Sequence, residues 1–146
     1  MKLRVCVFED DPLVRRLLEM ALTRRGYEVH DFPHPLACPL TTHAECACAA
    51  ENACVDAVLS DVNMPGMSGL EFVERQRRKG CKCRHYALMS GGWTPEQRAW
   101  ARALGCALLT KPFSLRDLNE WLDEVGEATP PERTLADWPP TLAATP

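Results

Sequence analysis

Five short apolar runs recur along the chain, and most are followed by a segment with helical periodicity. They are LRVCVF (3–8), YEVHDF (27–32), VDAVLS (55–60), HYALMS (85–90) and CALLT (106–110). Runs with apolar residues at consecutive positions read as strands covered on both faces, the habit of a parallel sheet. The segments between them carry helix punctuation. Asp11 suits an N-cap and Pro12 the first helical position, after which Val14, Leu17, Leu18, Ala21 and Leu22 repeat at helical spacing until Gly26. Ser68 and Glu71 have capping-box spacing for a helix through Lys79. Thr94-Pro95-Glu96-Gln97 opens another helix, with Trp100, Ala103 and Leu104 inward and Gly105 as terminator. Ser114 caps a last helix whose Leu115, Leu118, Leu122 and Val125 share a face. Strands alternating with helices predict a parallel sheet joined by right-handed crossovers.

Two stretches break the pattern. Where the second crossover helix belongs, within an insert of about residues 33–54, stands CPLTTHAECACAAENAC, with four cysteines and a histidine between Cys38 and Cys54. Its proline, threonines and histidine predict a distorted or missing helix there. From Glu127 onward periodicity ceases and Pro130, Pro131, Pro139, Pro140 and Pro146 follow, so residues 1–126 form the expected domain and 127–146 an expected disordered tail. With 146 residues, 46% hydrophobic and 25% charged, the chain suits one globular domain. A net charge of −3 offers no electrostatic ground for a nucleic-acid partner. No apolar segment approaches the roughly 20 residues of a membrane span, and no leader pattern is visible. A soluble, cytoplasmic protein is expected.

In an open α/β sheet, ligands bind at the carboxyl ends of the strands. Those ends carry Glu9 and Asp10, then Asp61, then Ser90, then Lys111-Pro112. Carboxylates without thiol or imidazole favour a hard cation such as Mg2+, which keeps positions for water and phosphate oxygens. A lysine and a hydroxyl beside them suit a phosphoryl group arriving on a carboxylate, a reaction governed by positioning and charge neutralisation. Singly, Asp10 and Asp11 read equally well as helix-capping residues and Asp61 as a turn former. A haloacid-dehalogenase site needs a second aspartate two residues after the first, where this chain has Asp61-Val62-Asn63.

With these residues in place, the chain resembles the receiver domains of two-component response regulators. The match is carried by VFEDDPLVRRLL, LSDVNMPGMSGLEF, LMSG and LTKPF, in that order and at compatible spacing. The resemblance implies a flavodoxin-like three-layer fold with strand order 2-1-3-4-5. It also implies Asp61 as acceptor of a phosphoryl group from a histidine kinase or phosphotransfer protein. Glu9, Asp10, Asp61 and the Asn63 carbonyl would then hold Mg2+, with Asp10 the direct ligand of the acidic pair. Ser90 matches the switching hydroxyl, Lys111 the phosphate-binding lysine, and Lys111-Pro112 a cis bond. Such a protein is a signalling module, with at most weak Mg2+-dependent self-phosphorylation and dephosphorylation, rather than an enzyme. Standing alone, it would pass its signal to an effector protein through the helix after the fourth strand, the fifth strand and the last helix. The family's aromatic switch position is occupied by Leu108, which leaves the rotamer-coupled switch without its ring. Trp93 and Trp100 lie near that face, and Trp100 reads better as core.

Eight cysteines is a high count for a reducing compartment, where metal or catalytic roles outnumber stable disulfides. Cys54 and Cys83 each stand seven residues before a rim residue, Asp61 and Ser90, and so belong to the opposite end of the sheet, with Cys81 close by. The insert can reach them there. Cys38, Cys46, Cys48 and Cys54 suit tetrahedral Zn2+, with Cys81, Cys83 and His43 as substitutes. A structural zinc would also hold an insert that lacks apolar periodicity. A redox- or metal-sensing module, in which phosphorylation is secondary, is the alternative function. Small buried thiols are the plain reading, above all for Cys6 and Cys106.

Overall fold

The structure is a computed structural model and describes residues 2–41, 46, 48 and 52–140. Among these, five strands alternate with four helices. The strands are β1 (Arg4–Phe8), β2 (Glu28–Phe32), β3 (Ala57–Asp61), β4 (His85–Ser90) and β5 (Ala107–Thr110). The helices are α1 (Pro12–Arg24), α2 (Gly69–Arg78), α3 (Pro95–Ala103) and α4 (Leu115–Ala128). All pairings are parallel, in the order β2-β1-β3-β4-β5. This is the flavodoxin-like arrangement expected from the sequence.

The consecutive apolar residues of the strands have a direct use. Val5 and Val7 enter the core half shared with Leu18 and Leu22 of α1 and Leu118, Leu122 and Val125 of α4. Cys6 and Phe8 point the other way, to Leu70, Phe72 and Val73 of α2 and Ala101 of α3. Successive side chains of a strand alternate between faces, so a strand covered on both sides must be apolar throughout. The helices start as their caps dictate. The Asp11 carboxylate accepts the Leu13 N–H at 2.9 Å and Pro12 follows it, while Thr94–Gln97 and Ser114–Asp117 form reciprocal capping boxes.

Two short 3-10 turns, Pro35–Ala37 and Pro39–Thr41, stand where the crossover helix between β2 and β3 would be. The prolines explain this. Pro39 has no N–H to give the Pro35 carbonyl four residues back, so an α-helix cannot pass through it. That carbonyl instead receives the Cys38 N–H at 2.9 Å and the Thr41 hydroxyl at 3.1 Å.

Two expectations need correction. The chain after Glu127 was expected to lack order, yet α4 continues to Ala128 and residues 129–140 lie across the amino-terminal end of the sheet. The Arg133 guanidinium grips both oxygens of the buried Asp56 carboxylate, at 2.9 and 2.6 Å. The Ala136 N–H donates to the Ala53 carbonyl at 2.8 Å, and Arg4 donates to the Ala136 carbonyl at 2.8 Å. Trp138 stacks on His30 with ring centroids 4.4 Å apart. These partners are remote in sequence, so no local periodicity announces them. Ala103, expected inward on α3, is exposed. Leu17 and Leu115, which share helical spacing with core leucines, are 59% and 62% exposed. Both line an apolar groove between α1 and the start of α4.

Candidate functional site

The carboxyl ends of β1, β3 and β4 and the residue after β5 converge on one rim. Register puts them there: Phe8 pairs with Ser60, Asp61 with Met89, and Ser90 with Thr110. The residues following these pairs therefore share a level. The Lys111 ammonium stands 2.7 Å from Glu9 Oε2 and 3.1 Å from Asp61 Oδ2, bridging β1 and β3. One oxygen each from Glu9, Asp10 and Asp61 falls within 4.8 Å of the others. Glu9 and Asp61 are buried, whereas Asp10 is exposed at the mouth.

Local geometry holds each group. Glu9 Oε1 accepts the Asp11 N–H at 3.3 Å, so its two oxygens are spoken for by that N–H and by Lys111. Asp10 keeps its carboxylate at the mouth, which suits it better than Glu9 as a direct ligand. The Asn63 N–H lies 3.4 Å from Asp61 Oδ1, and the turn carrying it is pinned by the Val62 N–H on the Met89 carbonyl at 2.9 Å. Gly69 donates to the Val62 carbonyl at 3.0 Å. A Cβ at Gly69 would collide with the Asp61 carbonyl, so the start of α2 can seat against the acceptor strand only with glycine there. The Ser90 hydroxyl oxygen is fully buried and accepts the Gly92 N–H at 3.1 Å. Lys111 donates its backbone N–H to the Ser90 carbonyl at 2.9 Å, and the Lys111-Pro112 bond is cis.

The electrostatics are those of an excess of negative charge. Burial pushes the Glu9 carboxyl above its ordinary range, and the neighbouring Asp61 adds to this against the pull of Lys111. For Lys111, burial works against the charge, but hydrogen bonds to Glu9 and Asp61 outweigh it and hold the ammonium above its usual value. Three carboxylates face one ammonium. All donors are oxygen, so the set fits a hard divalent cation such as Mg2+.

At the signalling face named from the sequence, now α3, β5 and α4, Leu108 packs half-buried against the core on the α2–α3 side. The Trp93 indole donates to the Leu109 carbonyl at 3.0 Å, and Trp100 packs against the same core. The groove between α1 and α4 is a feature that the sequence reading missed. Val14, Leu17, Met20, Phe113 and Leu115 line it, with Lys111 and Pro112 at one end, and its volume is about 970 Å³. Leu13, Leu17 and Met20, exposed and at helical spacing, could have signalled an apolar stripe wider than one core contact needs.

The cysteines gather at the far end, but not in the predicted quartet. Cys38 is buried against Cys6, with sulfurs 3.9 Å apart, and so leaves the set of Cys46, Cys48 and Cys54. Cys83 is buried with its thiol towards the Asp56 and His85 carbonyls, at 3.7 and 3.6 Å. His43 lies outside the described residues. Among the described residues, Glu9, Asp10 and Asp61 alone bring three metal-binding side chains within 4.8 Å of one another. Cys106 is buried beside the α2–α3 core, its thiol pushed up to about 11 by desolvation.

A doubly wound sheet in the order 2-1-3-4-5 with an acidic pocket at its carboxyl rim defines a flavodoxin-like domain built to handle charge at that rim. Residues 5–123 match the family model of the response regulator receiver domain, and the chain belongs to that family. It is 32% identical over 144 residues to the transcriptional regulatory protein TcrA of Mycobacterium tuberculosis, covering 97% of this chain and 51% of that protein. It is 38% identical over 119 residues to the two-component response regulator ARR11 of Arabidopsis thaliana, covering 80% of this chain and 21% of that one. The chain thus spans about half the length of the former and a fifth of the latter. Among solved structures, the chemotaxis protein CheY4 of Vibrio cholerae superposes with a TM-score of 0.69 at 27% identity, covering 86% of this chain and 99% of that one. The response regulator TrrA of Thermotoga maritima, in complex with Mg(2+)-BeF, gives 0.64 at 25% identity, with coverage of 86% and 99%. Among the described residues, no helix is long and apolar enough to cross a membrane.

Proposed function

We propose that this receiver domain accepts a phosphoryl group on Asp61 from the phosphohistidine of a sensor kinase or phosphotransfer protein. The observation that carries the reading is the Lys111 ammonium held between Glu9 and Asp61, 2.7 and 3.1 Å away, beside the exposed Asp10. In the transfer, Asp61 Oδ attacks phosphorus, the donor's N–P bond breaks, and an acyl phosphate forms on Asp61. Asp10 and Asp61, with the Asn63 carbonyl, would hold Mg2+, which supplies charge neutralisation to the phosphoryl oxygens. Lys111, released from Asp61 by the new bond, is placed to pair with a phosphoryl oxygen, and Ser90 to hydrogen-bond another. The donor helix docks in the apolar groove between α1 and α4, which is continuous with the acceptor rim through Lys111 and Pro112. The phosphorylated form signals by protein contacts on α3, β5 and α4 in the cytoplasm, without itself binding nucleic acid or membrane. It is a phosphoacceptor rather than an enzyme acting on other substrates.

The test is intact-mass analysis after incubation with Mg2+ and acetyl phosphate. One added phosphoryl group is expected for the unaltered chain, and none for Asp61→Asn or with excess chelator. No gain, or an equal gain in Asp61→Asn, would overturn the reading.

A further inference from the structure

The acidic pair of the carboxyl rim sits on a short loop, Glu9–Asp11, between the end of β1 and the first residue of α1. Its backbone is anchored on both sides. The Glu9 N–H donates to the Phe32 carbonyl at the end of β2, at 3.1 Å, and the Asp11 carbonyl receives the Arg15 N–H at 2.9 Å as α1 begins. Between these anchors, the Glu9 carbonyl accepts a bond from the Arg15 side chain, with Nη1 2.8 Å away. Asp31 of β2 steadies the same guanidinium, its Oδ2 lying 3.5 Å from Nε. The Arg15 side chain is 22% exposed, so this bridge is partly shielded from competing water. The Glu9–Asp10 peptide is planar, and a bond to its oxygen therefore also fixes where the Asp10 Cα must lie.

We propose that Arg15 is a positioning residue for the cation of the acidic rim, setting the Glu9–Asp10 peptide so that the Asp10 carboxylate meets Mg2+ together with Asp61. The inference rests on the phosphoacceptor reading of this rim. Asp10 is exposed at the mouth, so its placement depends on its backbone more than on packing around its side chain. Glu9 and Asp61, by contrast, are buried and already tied together through Lys111. An arginine suits the task. Its planar fork reaches a carbonyl with one nitrogen and a carboxylate with another, whereas an ammonium is a single point of charge. Arg15 thereby fastens the metal-bearing loop to the end of β2 as well as to α1. Charge alone argues for the opposite effect. A guanidinium beside the rim repels a cation, so on that ground its removal would tighten Mg2+ binding. Positioning requires that removal weaken it, and the sign of the change therefore separates the two roles.

The test measures the Mg2+ affinity of the full chain by displacement of Mn2+, followed by electron paramagnetic resonance. Arg15→Met keeps the apolar stem and loses the donors. It should bind Mg2+ about tenfold more weakly, the loss usual when a group behind a metal ligand is removed. Arg15→Lys keeps the charge without the fork and should fall between the two, about threefold weaker than the unaltered chain. An affinity in Arg15→Met equal to or above that of the unaltered chain overturns the proposal. Should Arg15→Met not fold, Asp31→Asn loosens the guanidinium from its other side. About a twofold weakening is expected there, and unchanged affinity has the same adverse meaning. Acetyl phosphate labelling of Asp61 then separates positioning from contact with the phosphoryl group. With Mg2+ saturating, Arg15→Met should label at the unaltered rate. A rate that stays low under saturation makes Arg15 a phosphoryl contact and sinks the positioning role. If the unaltered chain itself takes no label, the phosphoacceptor reading fails, while the order of Mg2+ affinities still decides the role of Arg15.

Discussion

The two ends of the sheet solve opposite problems. At the carboxyl rim, Glu9, Asp10 and Asp61 crowd around the single Lys111, and the excess negative charge is left for a cation to settle. At the amino rim, the one buried carboxylate among the described residues, Asp56, is fully answered. It receives two hydrogen bonds from Arg133 and the Arg4 backbone N–H at 2.8 Å. Arg4 in turn ties Glu28, the Cys54 carbonyl and the Ala136 carbonyl together. Hydrogen bonds from His30 and Arg4 hold Glu28 below the ordinary carboxylate range against partial burial. One end is satisfied and structural. The other is deliberately short of positive charge, as a site that must bind and change state has to be.

That contrast is broken most severely at Asp56. Replacing it with alanine leaves Arg133 and the Arg4 N–H facing a buried gap, and removes the clasp that holds residues 129–140 on the sheet. A loss of about 3 kcal/mol is expected, since deleting one partner of a buried pair exposes the desolvation cost of the other. Urea unfolding should show it as a lower midpoint, with Asp61 still accepting phosphate. A midpoint within error of the unaltered chain would mean that the amino rim is not a structural clasp. Trp138→Ala probes the same strap more gently. It removes the stack on His30 but leaves the Arg133 pair, so about 1 kcal/mol should be lost. Proteolysis after residue 128 should become faster in proportion. Unchanged cleavage would show that Arg133 alone fastens the strap.

Legibility follows the same division. The carboxyl rim could be read because strand order and register bring the ends of four short runs to one level, and each functional residue adjoins its run. Glu9, Asp10, Asp61, Ser90 and Lys111 needed only the positions of β1, β3, β4 and β5. The loss of the second crossover helix was legible from composition, with Pro35 and Pro39 supplying the mechanism. The strap was not legible. Asp56 and Arg133 are separated by 77 positions, and a proline-rich segment without periodicity can be ordered by such pairs as firmly as by a stripe of leucines. Ala103, expected inward and found exposed, misled for a related reason. Helical spacing identifies an apolar face but does not say whether another part of this chain covers it. Cys38 was drawn towards Cys46 by nearness in sequence, whereas the 3-10 turns carry it down to Cys6 on the first strand.

The smallest predicted effect is the sharpest test of the contrast. Asp10 is exposed, and its nearest charged neighbours at the rim include the other two carboxylates, so in Mg2+-free buffer its charge is a repulsive term with little recompense. Asp10→Asn should therefore stabilise the chain by about half a kcal/mol, a small value because solvent and salt screen an exposed group. Adding Mg2+ should reverse the order. The unaltered chain gains stability in proportion to its binding of the ion, as any ligand of the folded state requires, while Asp10→Asn gains far less. Paired urea unfolding curves with and without Mg2+ measure both halves. If Asp10→Asn is destabilising without the ion, the carboxyl rim is a balanced structural network like the amino rim, and the division between the two ends fails.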